Sequence, residues 1–169
     1  MGGAVSLSLE AVEVARSFLG TRETGQNTGP DVDLFLGSVG LHPGQPWCAA
    51  FVHYVFMVAA ARLGLRNPCP STGAALSLWR RAEPYCQIDS NPKPGYVYVL
   101  DHGGGQGHTG IIESVDADLV PTEISGNTFA DARGGREGNC VARHVGTPEV
   151  THGGSLLGYL ALDLAAQSP

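Results

Sequence analysis

Basic residues are scarce in this chain. Ten Lys and Arg stand against sixteen Asp and Glu, a net charge of −6 with no basic run, so the electrostatic footprint of a nucleic-acid binder is absent and no nucleic-acid partner is expected. Long apolar runs are missing too. The longest, Phe51 to Ala61, is interrupted by His53 and Tyr54 and is too short to cross a bilayer, so no membrane segment is expected. The N-terminus has no basic start, apolar middle and small-residue cleavage site, which leaves general secretion unsupported and implies a protein made in the cytoplasm without a recognisable signal peptide. Met1 to Ser6 fits the loose myristoylation pattern, but no basic cluster follows to give the second anchor that stable membrane attachment needs. The four cysteines, Cys48, Cys69, Cys86 and Cys140, show neither C-x-x-C pairs nor zinc-finger spacing, so no metal and no cofactor is expected. A Cys69–Cys86 bridge is left open.

What is present is apolar residue and turn. Hydrophobic residues make up 43% of the 169, with 24 glycines and 11 prolines, enough for one loop-rich domain over residues 1–169 with its own core. Val12, Ala15, Phe18 and Leu19 mark a first helix stopped by Gly20, and a second is expected near Asp31, with Val32, Phe35 and Leu36 on its apolar side. Asp31 and Asp33 have the chemistry of metal ligands, but in a first turn acidic residues serve as caps and dipole partners. Pro46 suits entry into a buried helix from about Cys48 to Leu63, and Ser71 or Thr72 can cap a short helix through Trp79. Beyond "NPKPG" the pattern turns to strands: "YVYVL", "TGIIESV", "LVPTEIS", "CVARHV" and "LLGYLAL". Helices over about 8–80 followed by strands over about 95–163 predict an α+β domain with a C-terminal antiparallel sheet.

Within "GQPWCAAFVHYVF" a cysteine opens the buried helix. Such a residue can simply fill a core, but a thiol in a first helical turn also feels the helix dipole and unpaired N–H groups, which favour the thiolate. Nucleophilic use requires a base, because a thiol of pKa about 8.5 is only slightly ionised at neutral pH. His53 shares the helix but sits roughly 140° around its axis. His108 follows "GGGQG" and opens a strand, where glycine leaves room for a substrate backbone. A two-residue hairpin at Ala117-Asp118 would place His108 opposite Asn127, with Cβ atoms about 4.5–5.5 Å apart, close enough for the amide to fix an imidazole tautomer; a three-residue loop would place it opposite Gly126. Cys48, His108 and Asn127 in that order are the papain-like arrangement.

"PWCAAFV", "GHTGIIESV" and "ISGNT…REGNCVARH" resemble the CHAP group of cysteine, histidine-dependent amidohydrolases and peptidases, related to NlpC-type cell-wall hydrolases. The approach "FLGTRETGQNTGPDVDLFLGSVGLHPGQ" is similar to the N-terminal part of bacterial and phage members. The resemblance implies a papain-like fold, Cys48 as nucleophile, His108 as base and then acid, and Asn127 as orienting partner. The family's glutamate two positions before that asparagine is replaced by Ser125. Glu123 shares the strand face but lies roughly 13 Å along it, so Ser125 and Glu123 are assistants at most, with Gln45 and Trp47 as cleft residues. The implied activity is amidase or endopeptidase action on peptidoglycan stem peptides or cross-links, in the periplasm or cell wall after delivery, as a phage lysin or as an antibacterial effector with an immunity or delivery partner. An acyltransferase using the same pair and an inactive peptide- or partner-binding module are the alternatives.

Overall fold

The computed structural model describes residues 6–131 and 138–166. Met1 to Val5 of the myristoylation pattern, and Arg136 and Glu137 of the "REGNC" segment, lie outside the described residues. Four helices come first: α1 (Leu7–Ser17), α2 (Pro30–Ser38), α3 (Cys48–Leu63) and α4 (Ala75–Arg81). A sheet follows, with β1 (Gln87–Ile88), β2 (Val97–Gly103), β3 (Gln106–Val115), β4 (Pro121–Thr128), β5 (Cys140–Val145) and β6 (Ser155–Leu160). Two short helices complete the chain, α5 (Pro148–His152) between β5 and β6, and α6 (Asp163–Ala166). The strands lie in the order β1-β6-β2-β3-β4-β5, every pair antiparallel. The fold is α+β, as the pattern predicts. Among the described residues no helix is long and apolar enough to cross a membrane.

Helix α3 is apolar nearly all round because it is enclosed, with α1 and α2 on one side and β3 and β4 on the other. Gly64 ends it in the left-handed conformation, φ 66°. Its N-terminal half is seated by aromatic packing: Phe35 touches Phe18, Trp47, Phe51 and Tyr54, with ring centroids 5.1 to 5.7 Å apart, within the range that favours edge and tilted contacts. The acidic residues that open α2 act locally. Asp33 Oδ1 accepts from the Gly29 N–H and the Thr28 hydroxyl, and Asp31 Oδ2 accepts from the Thr21 hydroxyl. His53 is buried against the Cys69 and Pro70 carbonyls. No disulfide joins any two of the four cysteines.

The hairpin between β3 and β4 has the longer of the two loops that the sequence leaves open. Asp116 and Val120 close a three-residue loop with Leu119 left-handed at φ 63°, and the Asp116 carboxylate accepts from the Asp118 and Val120 N–H groups. That loop would shift the ladder by one residue, but a bulge between Ile112 and Ser114 shifts it back. Beyond the bulge Ile112 pairs with Glu123 and Ile111 with Ile124, the register that a two-residue loop would have set. The intervening Glu113 turns to an ion-pair cluster with Arg16 and Arg143.

Strand alternation divides the sheet into two faces. Val97, Val99, Ile111, Ile124 and Leu160 join the core beneath the helices. Tyr98, Leu100, Ile112 and Tyr159 form a second cluster on the other face, where α5 packs against β2 and β6.

Candidate active site

Cys48 begins α3, and Trp47 ahead of it supplies no side-chain cap, so the first-turn N–H groups keep the orientation that favours an anion. Cys48 is 4% exposed and lines a cleft of about 510 Å³ with Gln45, Pro46, Thr72, Ala74 and Gly107. Trp47 takes no part in that wall. It is fully buried, and its ring N–H donates to Glu23 Oε1 at 2.8 Å, which ties the helix start to the chain before α2. Pro46 also borders a second cleft of about 440 Å³, lined by Glu23, Asn27, Asn127, Phe129 and Asn139.

Gly126 lets α3 approach the sheet this closely. A Cβ there would lie 2.6 Å from the Trp47 ring and 2.9 Å from Phe51 Cβ, so the strand can meet the first turns of the helix only without a side chain.

His108 sits on β3 opposite Leu100, wholly buried. Its ring packs 4.5 Å from that of His152 and 6.1 Å from that of Tyr98, centroid to centroid. Burial first, and the adjacent His152 second, hold its pKa well below the ordinary imidazole value, so the ring is neutral at neutral pH. Burial first, and the Glu123 carboxylate second, push the pKa of the neighbouring Tyr98 hydroxyl well up, so it stays a donor to that carboxylate. Neither ring nitrogen of His108 has a hydrogen-bond partner among the described residues. The sequence reading brings Cys48, His108 and Asn127 into mutual contact; the resting structure has no hydrogen bond from His108 to either of the others. For Asn127 the cause is local. β4 bulges between Ser125 and Thr128, Asn127 takes φ 56°, and it lines the second cleft.

Glu123 holds a place that the sequence argument missed. It is fully buried and faces His144 across the ladder to β5. Oε1 accepts from His144 Nδ1 and His152 Nε2, each at 2.8 Å, and from the Ser125 hydroxyl at 3.5 Å, while Oε2 accepts from the Tyr98 hydroxyl at 3.0 Å. Burial alone would raise the carboxyl pKa, but the two imidazole hydrogen bonds outweigh it and bring it down to about 2. The other His144 nitrogen, Nε2, lies 2.9 Å from the Phe129 carbonyl oxygen. Both His144 nitrogens therefore face acceptors with no proton to give, which makes the ring an imidazolium paired with the Glu123 carboxylate. Burial opposes that charge and the Glu123 bond overcomes it, raising the His144 pKa. Among the described residues Glu123, His144 and His152 are also the one group with metal-ligand chemistry, their donor atoms all within 4.8 Å of one another; as they stand, those atoms are hydrogen-bonded to each other. His152 was overlooked because α5 is only five residues long, although Thr147-Pro148-Glu149 ahead of Gly153-Gly154 carries the start and stop signals of a helix.

Comparison with known proteins bears on this arrangement directly. The family model for the CHAP domain matches residues 40–127, just over half the chain, from the turn before α3 to the Asn127 bulge. The chain belongs to the CHAP domain family. Such domains are generally hydrolases, with amidase or peptidase action on peptidoglycan. No match was found among the curated proteins or the solved structures. The CHAP match takes in Cys48, His108, Glu123, Ser125 and Asn127, and it ends before His144 and His152.

Proposed function

We propose that this CHAP domain hydrolyses an amide bond of peptidoglycan with Cys48 as nucleophile and His108 as general base and then acid. The observation that carries the reading is the cysteine at the uncapped start of α3, in the wall of a cleft also lined by Gly105 to Gly107, the residues leading into His108. The neutral His108 takes the thiol proton as Sγ adds to the carbonyl carbon. The resulting oxyanion is stabilised by first-turn N–H groups, that of Cys48 included. Collapse expels the amine, which takes the proton from His108 and leaves a thioester. Water then attacks that thioester, His108 accepting its proton and returning it to the thiolate, so that acid and free enzyme are released. Catalytic hydrogen bonds are commonly loose without substrate and tighten in the complex, which accommodates the resting His108. Asn127 is assigned to orient the imidazole in the closed site, with Ser125 and Glu123 behind it and Gln45 in the cleft wall.

One observation favours a second reading. The lack of a hydrogen bond between His108 and Cys48 suits a non-catalytic module that binds wall peptides or a protein partner. Purified peptidoglycan of several chemotypes, digested with the wild type beside Cys48→Ala and followed by mass spectrometry, separates the two. New termini with the wild type alone support the hydrolase and identify an amidase or an endopeptidase by the bond cut. No fragments from either folded protein favour the module. An added amine appearing in the products would make the protein an acyltransferase. A phage lysin, or an antibacterial effector delivered to the periplasm and neutralised by an immunity protein, is the proposed setting.

A further inference from the structure

The residues that the mechanism uses least are the most elaborately held. Glu123 accepts from four side chains on four elements, Tyr98 of β2, Ser125 of β4, His144 of β5 and His152 of α5, and each accepted bond to a buried carboxylate offsets part of its desolvation cost. Of these partners, His152 lies closest to His108, and the two rings meet at 43°. His152 also stacks on Tyr98, with centroids 5.9 Å apart and planes within 19°. It is thus fixed by a carboxylate at one edge and by an aromatic ring on its face, and it forms one wall against His108.

We propose that His152, anchored by Glu123, is a positioning residue for His108, so that this chain orients its base through a second histidine where a carboxylate could not reach it directly. The proposal rests on the reading of His108 as the catalytic base. It explains the Ser125 substitution: the carboxylate that "SGN" lacks lies two residues earlier, and the distance from Glu123 to His108 is bridged by a ring donated from α5. It also explains why Glu123 retains a full negative charge so deep in the protein. The His144 imidazolium neutralises that charge, and His152 supplies a further N–H for the carboxylate to accept.

The groups facing His108 are His152 from α5, Glu123 from β4, His144 from β5, and Tyr98 and His102 from β2. Removing the His152 imidazole takes away the nearest group that opposes protonation of His108 and loosens the wall that fixes its ring. Two variants test this, His152→Phe, which keeps an aromatic ring but no bond to Glu123, and Glu123→Gln, which keeps the shape of the anchor without its charge. The first readout needs no substrate: nitrogen-15 NMR of labelled histidines, giving the shifts and titration midpoint of His108. The expected result is one sharp set of His108 signals and a low midpoint in the wild type, and displaced or broadened signals in both variants, with the midpoint raised in His152→Phe. Peptidoglycan turnover should fall about tenfold or more in His152→Phe, its acid limb moving to higher pH with the midpoint. His108 signals and midpoint unchanged in both folded variants would overturn the proposal, as would stoichiometric zinc in the purified wild type that Glu123→Gln abolishes. If the His108 signals respond but the wild type cleaves no peptidoglycan, the hydrolase reading fails while the packing role of His152 stands.

Discussion

The two sides of the candidate site are built from opposite materials. Cys48 is placed by apolar contact, with Trp47, Phe51 and Phe35 locked together and a glycine on β4 cut to receive them. His108 is placed against charge and hydrogen bonds, in a pocket walled by imidazoles around one carboxylate. Dispersion and burial respond to volume and are indifferent to pH, whereas a buried ion pair responds to every proton. Alteration of the first side should be felt through shape, and alteration of the second through protonation.

The largest effect is expected at Glu123. Glu123→Ala would leave the His144 imidazolium buried without its counter-charge and remove the acceptor that Tyr98 and His152 share, a loss of about 3–5 kcal/mol for a broken buried pair, read by urea denaturation at pH 7. The same carboxylate gives the His side an acid limit. Its pKa is about 2 in the folded protein against an ordinary 4.5, so its contribution is complete above about pH 4.5 and is lost as pH falls toward 2, an amount on the order of 3 kcal/mol. His108, with its pKa depressed by burial, adds to this loss as pH falls below its ordinary 6.5, because the unfolded chain then binds a proton that the folded one refuses. His144 runs the other way: its pKa is raised, and its contribution is complete below 6.5 and lost as pH rises through the folded value. Thermal melts of the wild type from pH 7 to pH 3 should therefore fall steeply, and those of Glu123→Gln should start lower and fall less. Parallel curves would show that the hub carries no linked protons.

The Cys side was the more legible in the sequence for the same reason. Helical periodicity and end signals report burial of apolar area, and they located α3 from Cys48 to Leu63 and placed Phe35 on the apolar side of α2. The papain-like order of Cys48, His108 and Asn127, with its family motifs, is local in sequence. The hub is not. It joins residues from β2, β4, β5 and α5 that no period connects, and the contribution of α5 hangs on one helical turn. The register shows the limit of local reasoning from another direction: of the two loops the sequence leaves open the three-residue one is present, and a bulge at Glu113 restores the pairing that the two-residue loop would give, with Glu113 held by Arg16 and Arg143 from distant segments. The place of Asn127 is set by a further such event, the bulge in β4 that puts it along the second cleft.

A smaller effect is expected from Gly126→Ala. The added methyl would press on the Trp47 ring and on Phe51 Cβ rather than on a flexible side-chain end, and overpacking of this kind costs about 1–3 kcal/mol. Because the displaced element carries Cys48, peptidoglycan turnover should fall further than the stability loss alone would bring it, with no change in the shape of the pH profile. A shifted acid limb in Gly126→Ala would mean that the two sides are coupled and that the contrast between them is false.

The smallest effect is expected from Glu23→Gln, which sharpens the contrast by testing the one carboxylate on the Cys side. Glu23 accepts the Trp47 ring N–H at 2.8 Å and the Asn27 N–H at 3.0 Å, and it is half-buried at the edge of the second cleft. A glutamine keeps an acceptor for the indole but turns its amide N–H₂ to the Asn27 N–H, giving up the charge and that second bond, so the loss should be about 1–2 kcal/mol. Since Trp47 is seated by Phe35 on one side and by the glycine hollow on the other, its position should survive, and so should turnover at saturating substrate. Urea denaturation and turnover measured on the same preparation decide the point. A loss approaching that of Glu123→Ala would mean that Cys48 too is held by a carboxylate, and that apolar packing around Trp47 is a consequence of that bond rather than its alternative.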